Sequence, residues 1–285
     1  MLHVAARPHS RVLAPFIKSF HYHESELAPA VERILPNGQA HLMINLAEDE
    51  FRAYSGPDCG TVHRVRGAVL AGPHAAPTAI DTMEQRRLVA VEFNLGGAAE
   101  FLPMPLSEAT NRIVALDNVW GRDGRVLRER LCDAATPGAK LRLLEAMLLK
   151  HLRISGDRSI AAAICLLDRG ASVAVARSRL GLLPKTFVRR FQEQVGLAPK
   201  RLFRVRRLQR VLGSVSHSTR VDWCATAAEH GYTDQAHLIH DFQNLTGLTP
   251  SAYRPASPLR RNHIPIAAPP ADVFLQYKPA RLQLP

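Results

Sequence analysis

The most constraining feature of this chain is an internal repeat near its carboxy-terminal end. The segment FQEQVGLAP at residues 191–199 recurs as FQNLTGLTP at residues 242–250, which places the two copies 51 residues apart. Each copy follows a glycine-centred turn and a short alanine-rich segment. A repeated pattern fixes architecture, because each copy forms the same supersecondary unit. The order of a short helix, a turn and a longer helix predicts two helix-turn-helix units.

The second unit has the more regular pattern. Residues 223–230 are predicted to form its first helix, and Gly231 makes the turn because glycine readily adopts left-handed backbone angles. Thr233 or Asp234 is predicted to cap the second helix, which runs to about Leu245. All parts of a helix-turn-helix are therefore present in sequence order.

The second helix of such a unit enters the major groove of DNA, so its outward side chains meet the base edges. In the first unit this helix is predicted at residues 184–195, with Phe187 and Phe191 buried. In the second unit Leu238 and Phe242 take that role. Arginine and lysine suit guanine, glutamine pairs with adenine, and apolar groups touch the thymine methyl. The side chains predicted to read bases are Lys185, Val188, Arg189, Gln235, Ala236, Ile239 and His240.

The charge distribution agrees with a DNA-binding repeat. Residues 156–254 carry 15 Lys and Arg against 7 Asp and Glu, whereas residues 1–155 carry 18 against 17. A basic helix from Lys200 to about Leu212 joins the two units. Its arginines are predicted either to contact phosphates or to be ordinary solvated charges. The predicted contacts to the DNA backbone are Thr186, Arg190, Lys200, Arg204, Arg207, Thr233 and His237.

Over about residues 160–254 these features resemble the DNA-binding domain of AraC/XylS-type transcription regulators. The pattern W-x3-A-x3-G-Y-x-D-Q-x-H-L-x-x-D-F occupies residues 223–242, and T-G-L-T-P-x-x-Y-R follows it. The resemblance implies two recognition helices in successive major-groove segments of double-stranded DNA. It also implies a bacterial, cytoplasmic, nucleoid-associated regulator that contacts RNA polymerase. Activation is the expectation, although the sequence leaves repression open.

The first unit departs from that family at two positions. Leu183 stands where the family has a Ser or Thr cap, and losing such a cap typically costs about 1 kcal/mol. Arg177 stands where the family favours a small alanine, so its side chain must extend to solvent or find a partner. The first unit is therefore expected to dock loosely, to suit unusual DNA or to read few bases.

The amino-terminal half is rich in strands and turns. Candidate strands lie at residues 40–46, 62–70 and 88–93, within a β-rich stretch that ends at about residue 95. Residues 97–152 are predicted to be helical. Three segments, LPNGQAHLMINL, RGAVLAGPH and VEFNLGGAAEFLPMPLSE, resemble the cupin-like sensor domains of a subgroup of the same regulators. This resemblance implies a domain that binds a small-molecule effector or forms a homodimer, and it identifies no effector-binding residue.

The expected fold class is therefore α+β in two domains. A β-rich cupin-like domain with a helical subdomain is predicted at residues 1–153, and an all-α double helix-turn-helix domain at residues 154–254. Residues 155–157, Ser-Gly-Asp, are the predicted linker. Residues 255–285 form a proline-rich tail that is expected to be extended or disordered to about residue 270, with its last stretch docking on a neighbour.

Two further helices have details that the sequence leaves open. The helix at residues 139–152 carries an apolar stripe, which is interpreted as core or as a dimer seam. Asp157 or Ser159 is predicted to cap a helix at residues 160–168. The stripe consists of Leu141, Leu144, Leu148 and Leu152, with Met147 beside it.

Other site chemistry has little support in the sequence. Five histidines, among thirteen scattered along the chain, would have to converge to hold a metal, and they form no compact ligand motif. No metal site is therefore predicted. The sequence also contains no apolar run long enough to span a membrane and no recognised catalytic or cofactor motif, so no membrane span, cofactor or enzymatic activity is predicted. The four cysteines form no CxxC motif and are predicted to be reduced thiols. The five histidines are His21, His23, His41, His63 and His74.

Three alternatives to a regulator are kept. One is a cupin-like metal catalyst tethered to DNA, which bound metal at His21, His23 or His41 would favour. Another is a DNA-repair protein with a reactive cysteine, but Cys59 lies in a Pro-Asp-Cys-Gly setting that does not fit. The third is a degenerate regulator that binds a protein, which equal binding to all DNA sequences would favour.

Overall fold

The structure is a computed structural model that describes residues 2–55, 61–154, 158–217 and 220–266. The predicted linker at residues 155–157, Cys59 and the end of the tail from residue 267 lie outside the described residues.

The described residues form a strand-rich amino-terminal region and a helical carboxy-terminal region. The strands are β1 (Leu2–Ala6), β2 (Ile17–Glu24), β3 (Val31–Ile34), β4 (His41–Asn45), β5 (Phe51–Ser55), β6 (Thr61–Val65), β7 (Ala68–Ala71), β8 (Thr78–Asp81), β9 (Arg87–Phe93), β10 (Ile113–Ala115) and β11 (His263–Ile266). The helices are α1 (Leu116–Trp120), α2 (Arg122–Asp133), α3 (Pro137–His151), α4 (Ser159–Asp168), α5 (Val173–Arg179), α6 (Pro184–Val195), α7 (Pro199–Val215), α8 (Trp223–Glu229) and α9 (Gln235–Thr246). Short 3-10 helices lie at Thr82–Gln85, Gly97–Phe101, Leu106–Ala109 and Pro250–Ala252.

The strands make two antiparallel sheets. The first sheet has the order β1-β2-β9-β4-β7-β10, and the second has the order β11-β3-β8-β5-β6. Side chains alternate between the two faces of a strand. In β2 this alternation buries Phe20 and Tyr22 while Ser19 and His21 face the other side. The α+β, two-region fold expected from the sequence is confirmed.

The predicted strands at residues 40–46 and 88–93 are confirmed as β4 and β9. The strand predicted at residues 62–70 is in fact two strands, β6 and β7, which lie in different sheets. Gly67 stands between them in a tight turn, where an added Cβ would lie 2.8 Å from the carbonyl oxygen of Glu48. The apolar pattern hid this turn because valines flank it on both sides.

The helical subdomain covers the first sheet. Its prediction as helix from residue 97 is partly wrong, because two 3-10 helices and β10 precede α1. The apolar stripe of α3 packs into the core of the first sheet, with Leu144 and Leu148 fully buried. Thr136 caps α3 by accepting a hydrogen bond from the amide of Ala139. The core interpretation of the stripe is therefore the one that the structure supports.

The carboxy-terminal helices α4 to α9 build a second hydrophobic core, which also includes Leu35 and Ala75 from the amino-terminal region. Helix α6 covers the predicted residues 184–195. Helix α4 is predicted correctly, but its capping is not. Ser159 is already the first helical residue, and Arg158 occupies the capping position without a side-chain bond.

The tail returns to the amino-terminal region. Strand β11 pairs antiparallel with β3, so that Ile264 lies opposite Arg33 and His263 lies opposite Ile34. Residues 263–266 are therefore an ordered edge strand, where the sequence predicted an extended or disordered stretch. The apolar pattern here is only four residues long and contains Pro265, which is acceptable only at a sheet edge.

Candidate DNA-binding surface

The second helix-turn-helix unit consists of α8, the turn at Gly231 and α9. Ala227 on α8 is almost fully buried, as the small residue of a brace helix should be. The Trp223 ring meets the Phe242 ring edge-on, with the ring centres 6.1 Å apart. Asp234 caps α9, because its carboxylate accepts a hydrogen bond of 2.7 Å from the amide of His237. The predicted start of this recognition helix is therefore confirmed, and Asp234 is the cap.

The outward face of α9 carries the side chains predicted to read bases. Gln235, Ala236 and His240 are exposed, and Ile239 is half-buried. Leu238 on the opposite side is fully buried. Thr233 and His237, which are predicted to contact the DNA backbone, are both exposed at the start of the helix, where the imidazole nitrogen of His237 lies 3.3 Å from the hydroxyl of Thr233. The four predicted base-reading residues therefore lie together on one accessible surface.

The first unit presents a similar surface on α6. Lys185, Val188 and Arg189 are exposed, while Phe187 and Phe191 are fully buried. Arg189 donates a hydrogen bond of 2.7 Å to Glu193 one turn further along, and this pair is open to solvent. The α6 residues predicted to contact the DNA backbone, Thr186 and Arg190, lie beside this face.

The two units differ at the start of the recognition helix. Leu183 occupies the capping position of α6, makes no side-chain bond there and is 73% exposed. Asp234 at the matching position of α9 makes its capping bond. The departure noted at Leu183 is therefore a real loss of one stabilising hydrogen bond.

The prediction that Arg177 replaces the small buried residue of the first helix is wrong by one position. The fully buried small residue of α5 is Ala176, which lies 51 residues before Ala227, as Phe191 does before Phe242. The turn glycine Gly181 lies five residues after Ala176, whereas Gly231 lies four residues after Ala227, so alignment on the glycines points to Arg177 instead. Arg177 is only half-buried and donates to the carbonyl of Leu182 across this turn.

Two arginines of the linker helix α7 are held by an internal network. Arg204 donates to the carboxylate of Asp241 over 2.5–2.6 Å, and Asp241 itself is 2% exposed. Arg207 lies 3.8 Å from the same carboxylate, packs 4.2 Å above the ring of Tyr232 and donates to the carbonyl of Gly231. Burial, followed by the negative charge of Asp241, raises the pKa of Tyr232 to about 12. The network ties α7 to the second unit.

A basic groove runs along α7 between the two units. Its volume is about 880 Å³, and its walls include the start of α7 and the outward side of α9. Lys200 is exposed at one end of this groove. The side chains that line it are Val173, Lys200, Phe203, Arg204, Arg207, Arg210, Glu229, His230, Gly231, His237, His240 and Asp241.

Both recognition helices end against the amino-terminal region. Gly196 follows α6, and an added Cβ there would lie 2.2 Å from the ring of Pro73. The hydroxyl of Thr110 donates to the carbonyl of Gly196 over 2.5 Å. Gly247 follows α9, and Arg33 of β3 reaches its carbonyl over 3.4 Å. The sequence repeat contains both glycines but gives no sign of these contacts.

The histidines considered as metal ligands have separate partners. His21 bonds to Ser19, His23 to Ser25 and His41 to Asn37, while His74 meets the carbonyl of Gly72. In the described ranges, no three His, Cys, Asp or Glu side chains are arranged to hold a metal ion. Cys132, Cys165 and Cys224 are free and exposed. Within the same ranges, no helix has the length and apolar character needed to cross a bilayer.

Two family profiles match this chain. Residues 177–256 match a family described as a helix-turn-helix domain. Residues 6–115 match a family described as a domain of unknown function (DUF6597). No curated protein matches the chain.

The chain is also similar to solved structures of ToxT from Vibrio cholerae. A 1.65 Å structure has 10% identity and a TM-score of 0.42, and the match covers 83% of this chain and 98% of that one. A structure bound to (E)-4-(8-methylnaphthalen-1-yl)but-3-enoic acid has 12% identity and a TM-score of 0.42 over the same shares. A structure of an apo variant has 11% identity and a TM-score of 0.41, covering 82% of this chain and 96% of that one.

Proposed function

We propose that this chain, whose carboxy-terminal domain is a helix-turn-helix domain of the AraC type, regulates transcription by binding specific DNA sequences. The observation that carries the proposal is the pair of exposed faces on α6 and α9, each backed by a buried aromatic core. The side chains on these faces include the arginine, lysine and glutamine that form specific pairs with base edges. Each recognition helix is proposed to occupy one of two successive major-groove segments. The proposal includes no enzymatic step.

The second unit is proposed to be the stronger reader. Its recognition helix is capped by Asp234 and braced by Trp223, whereas the first begins at the uncapped Leu183. Specific complexes of this class have dissociation constants on the order of 10⁻⁸–10⁻¹¹ M at physiological salt. The structure gives Arg204 and Arg207 an internal role, which leaves Lys200 as the exposed α7 cation among the predicted phosphate contacts.

The experiment is selection from random duplex DNA by the full-length protein, followed by affinity measurements against salt. Gln235→Ala is expected to weaken specific binding by about 1–3 kcal/mol and to relax one base position. Asn244→Ala is the matched control, because this exposed amide lies about two and a half turns beyond Gln235 and therefore on the opposite side of the same helix. An unchanged sequence preference in the Gln235 variant would exclude this residue as a reader, and the absence of any enriched sequence would count against the whole proposal.

A small-molecule effector is the second part of the proposal. A cavity of about 630 Å³ lies between the first sheet, α7 and the tail. Lys18 and Arg206 at its wall are already paired with Glu92 and Asp168. Its other two cations are the exposed Arg210 and Arg261, whose guanidinium groups make no ion pair within the described residues, so the cavity favours a ligand with an acidic group. The residues that line it are Lys18, Asn37, Gly38, Gln39, His41, Glu92, Leu95, Leu167, Asp168, Leu202, Phe203, Arg206, Gln209, Arg210, Arg261 and Asn262.

The effector is tested by thermal unfolding of the full-length protein with a series of straight-chain carboxylates. Stabilisation that is lost in Arg210→Gln supports the cavity as the site. Stabilisation that persists in this variant, or none with any member of the series, opposes it.

A homodimer and a contact with RNA polymerase are also proposed. Sedimentation tests the homodimer, and co-purification tests the contact with RNA polymerase.

A further inference from the structure

The segment 255–266, which we call the latch, connects the carboxy-terminal domain back to the amino-terminal sheet. Its last four residues are β11, the edge strand beside β3. Ile264 in this strand is 7% exposed and belongs to the same hydrophobic core as α6, α7 and α9. The latch therefore adds a strand to the amino-terminal sheet, and its Ile264 lies in the hydrophobic core that the carboxy-terminal helices build.

An ion pair fixes the latch to β3. The carboxylate of Glu32 is almost fully buried and accepts hydrogen bonds of 2.7 Å from Arg260 and 2.8 Å from His263. Burial alone would raise the pKa of Glu32, but the hydrogen bond from His263 and the charges of His263 and Arg260 hold this pKa below its ordinary value. A buried carboxylate loses much of its stabilisation when a cationic partner such as Arg260 is removed.

The same part of the latch also contacts the carboxy-terminal domain. The hydroxyl of Tyr253 donates to the carbonyl of Arg261 over 2.8 Å. The side-chain amide of Gln209 on α7 donates both to Asn262 of the latch and to the carbonyl of Pro36 in the amino-terminal domain. The linker helix, the latch and the amino-terminal domain are thus joined at a single side chain.

In this docked arrangement the first recognition helix has a neighbour on its outward side. Ser107, in the 3-10 helix Leu106–Ala109, shares a groove of about 520 Å³ with Lys185, Val188 and Arg189. A helix in the major groove, which is about 12 Å wide, needs both of its flanks free for the two phosphate backbones. The 3-10 helix occupies one of these flanks. The end of the first recognition helix is also tied to the amino-terminal region at Gly196, so this helix cannot adjust to DNA alone.

We propose that the latch holds the carboxy-terminal domain in a docked state that weakens DNA binding, and that its release frees the first recognition helix. The inference rests on the proposed DNA-binding function. When only a fraction of the protein is in the undocked state that binds DNA well, the apparent affinity for DNA is lowered by that fraction. Opening the latch is therefore expected to tighten DNA binding, whereas loss of a structural support would weaken it.

The test compares full-length variants with matched controls. Ile264→Asp places a charge in the interface and is expected to expel β11, while Leu259→Asp makes the same kind of change on a side chain that is 95% exposed. Arg260→Gln removes one partner of Glu32, and Arg86→Gln, the same substitution at an exposed arginine of the amino-terminal region, is its control. Arg260→Gln is the milder change, and it provides the test if Ile264→Asp loses the circular-dichroism spectrum of the folded protein.

Two readouts separate the latch from the DNA-binding proposal. Small-angle scattering is expected to show a larger radius of gyration for Ile264→Asp and Arg260→Gln than for their controls. Binding to the selected duplex, or to mixed-sequence duplex if selection recovers none, is expected to tighten about tenfold in the same two variants. An unchanged radius would show that the segment is no latch. A larger radius with equal or weaker binding would show that docking does not restrain DNA binding. If the parent protein and all its variants show no sequence preference, the proposed regulator function is contradicted, and the latch is not.

Discussion

The contact between the linker helix and the second unit is tested by Asp241→Asn. This change keeps the shape of the side chain and removes its charge from a site that is 2% exposed. Breaking a buried ion pair from one side costs about 3–5 kcal/mol. Because 36% of the Arg204 side chain is exposed, water will recover part of this loss, and we expect a destabilisation of about 2–3 kcal/mol. The control is Asp168→Asn, which breaks an exposed pair with Arg206 on the same helix and is expected to cost less than about 1 kcal/mol.

Urea unfolding of the full-length variants measures both losses. Trp223 reports the second unit, because its ring contacts Phe242 next to Asp241, and a Trp120→Phe background removes the other indole. Double-mutant analysis with Arg204→Gln then isolates the pairwise coupling. A loss no larger for Asp241→Asn than for Asp168→Asn would refute the argument. The two arginines would then be available to phosphates, as the sequence predicted.

Two other predictions concern the capping position of α6 and α9 and the half-buried His41 of β4. Leu183→Ser is expected to stabilise the carboxy-terminal domain by about 1 kcal/mol and Asp234→Ala to destabilise it by a similar amount, which thermal unfolding measures; a Leu183→Ser protein no more stable than the parent would oppose this account of the cap. Burial lowers the pKa of His41 to about 4, so the folded protein resists the proton that the unfolded chain accepts below about pH 6.5. The contribution of His41 to stability is therefore complete above that pH and is expected to fall by about 1 kcal/mol per pH unit toward pH 4, so His41→Gln is expected to make the pH slope shallower by that amount in urea titrations at several pH values.

Local signals accounted for the helices of the repeat. The repeat and its aromatic residues four apart placed α6 at its observed ends. The cap of α9 was restricted to Thr233 or Asp234 by the sequence, and the structure selects Asp234. These features depend on residues within one or two turns of each other, which is why a single sequence is enough to place them.

Features that depend on distant residues could not be placed in this way. Arg204 has a phosphate-binding chemistry, and nothing near it in sequence shows that Asp241, 37 residues later, takes up its charge. Strand β11 is too short to have a pattern of its own, and its partner β3 is more than 200 residues away. The choice between Arg177 and Ala176 as the small buried residue depended on where the glycine stands in the turn, and the two units differ there by one residue.

The two glycines that end the recognition helices allow the interdomain contact to be measured separately from backbone strain. Gly196 and Gly247 both have left-handed backbone angles, with φ of 84° and 70°, so alanine at either position costs about 1 kcal/mol for the backbone alone. At Gly247 the added methyl group meets only the mobile end of Arg33, 3.3 Å away, whereas at Gly196 it would overlap the ring of Pro73 at 2.2 Å. Overpacking a rigid contact costs about 1–3 kcal/mol more. Thermal unfolding should therefore show a clearly larger loss for Gly196→Ala than for Gly247→Ala, and equal losses would mean that α6 is not docked on the amino-terminal domain in solution.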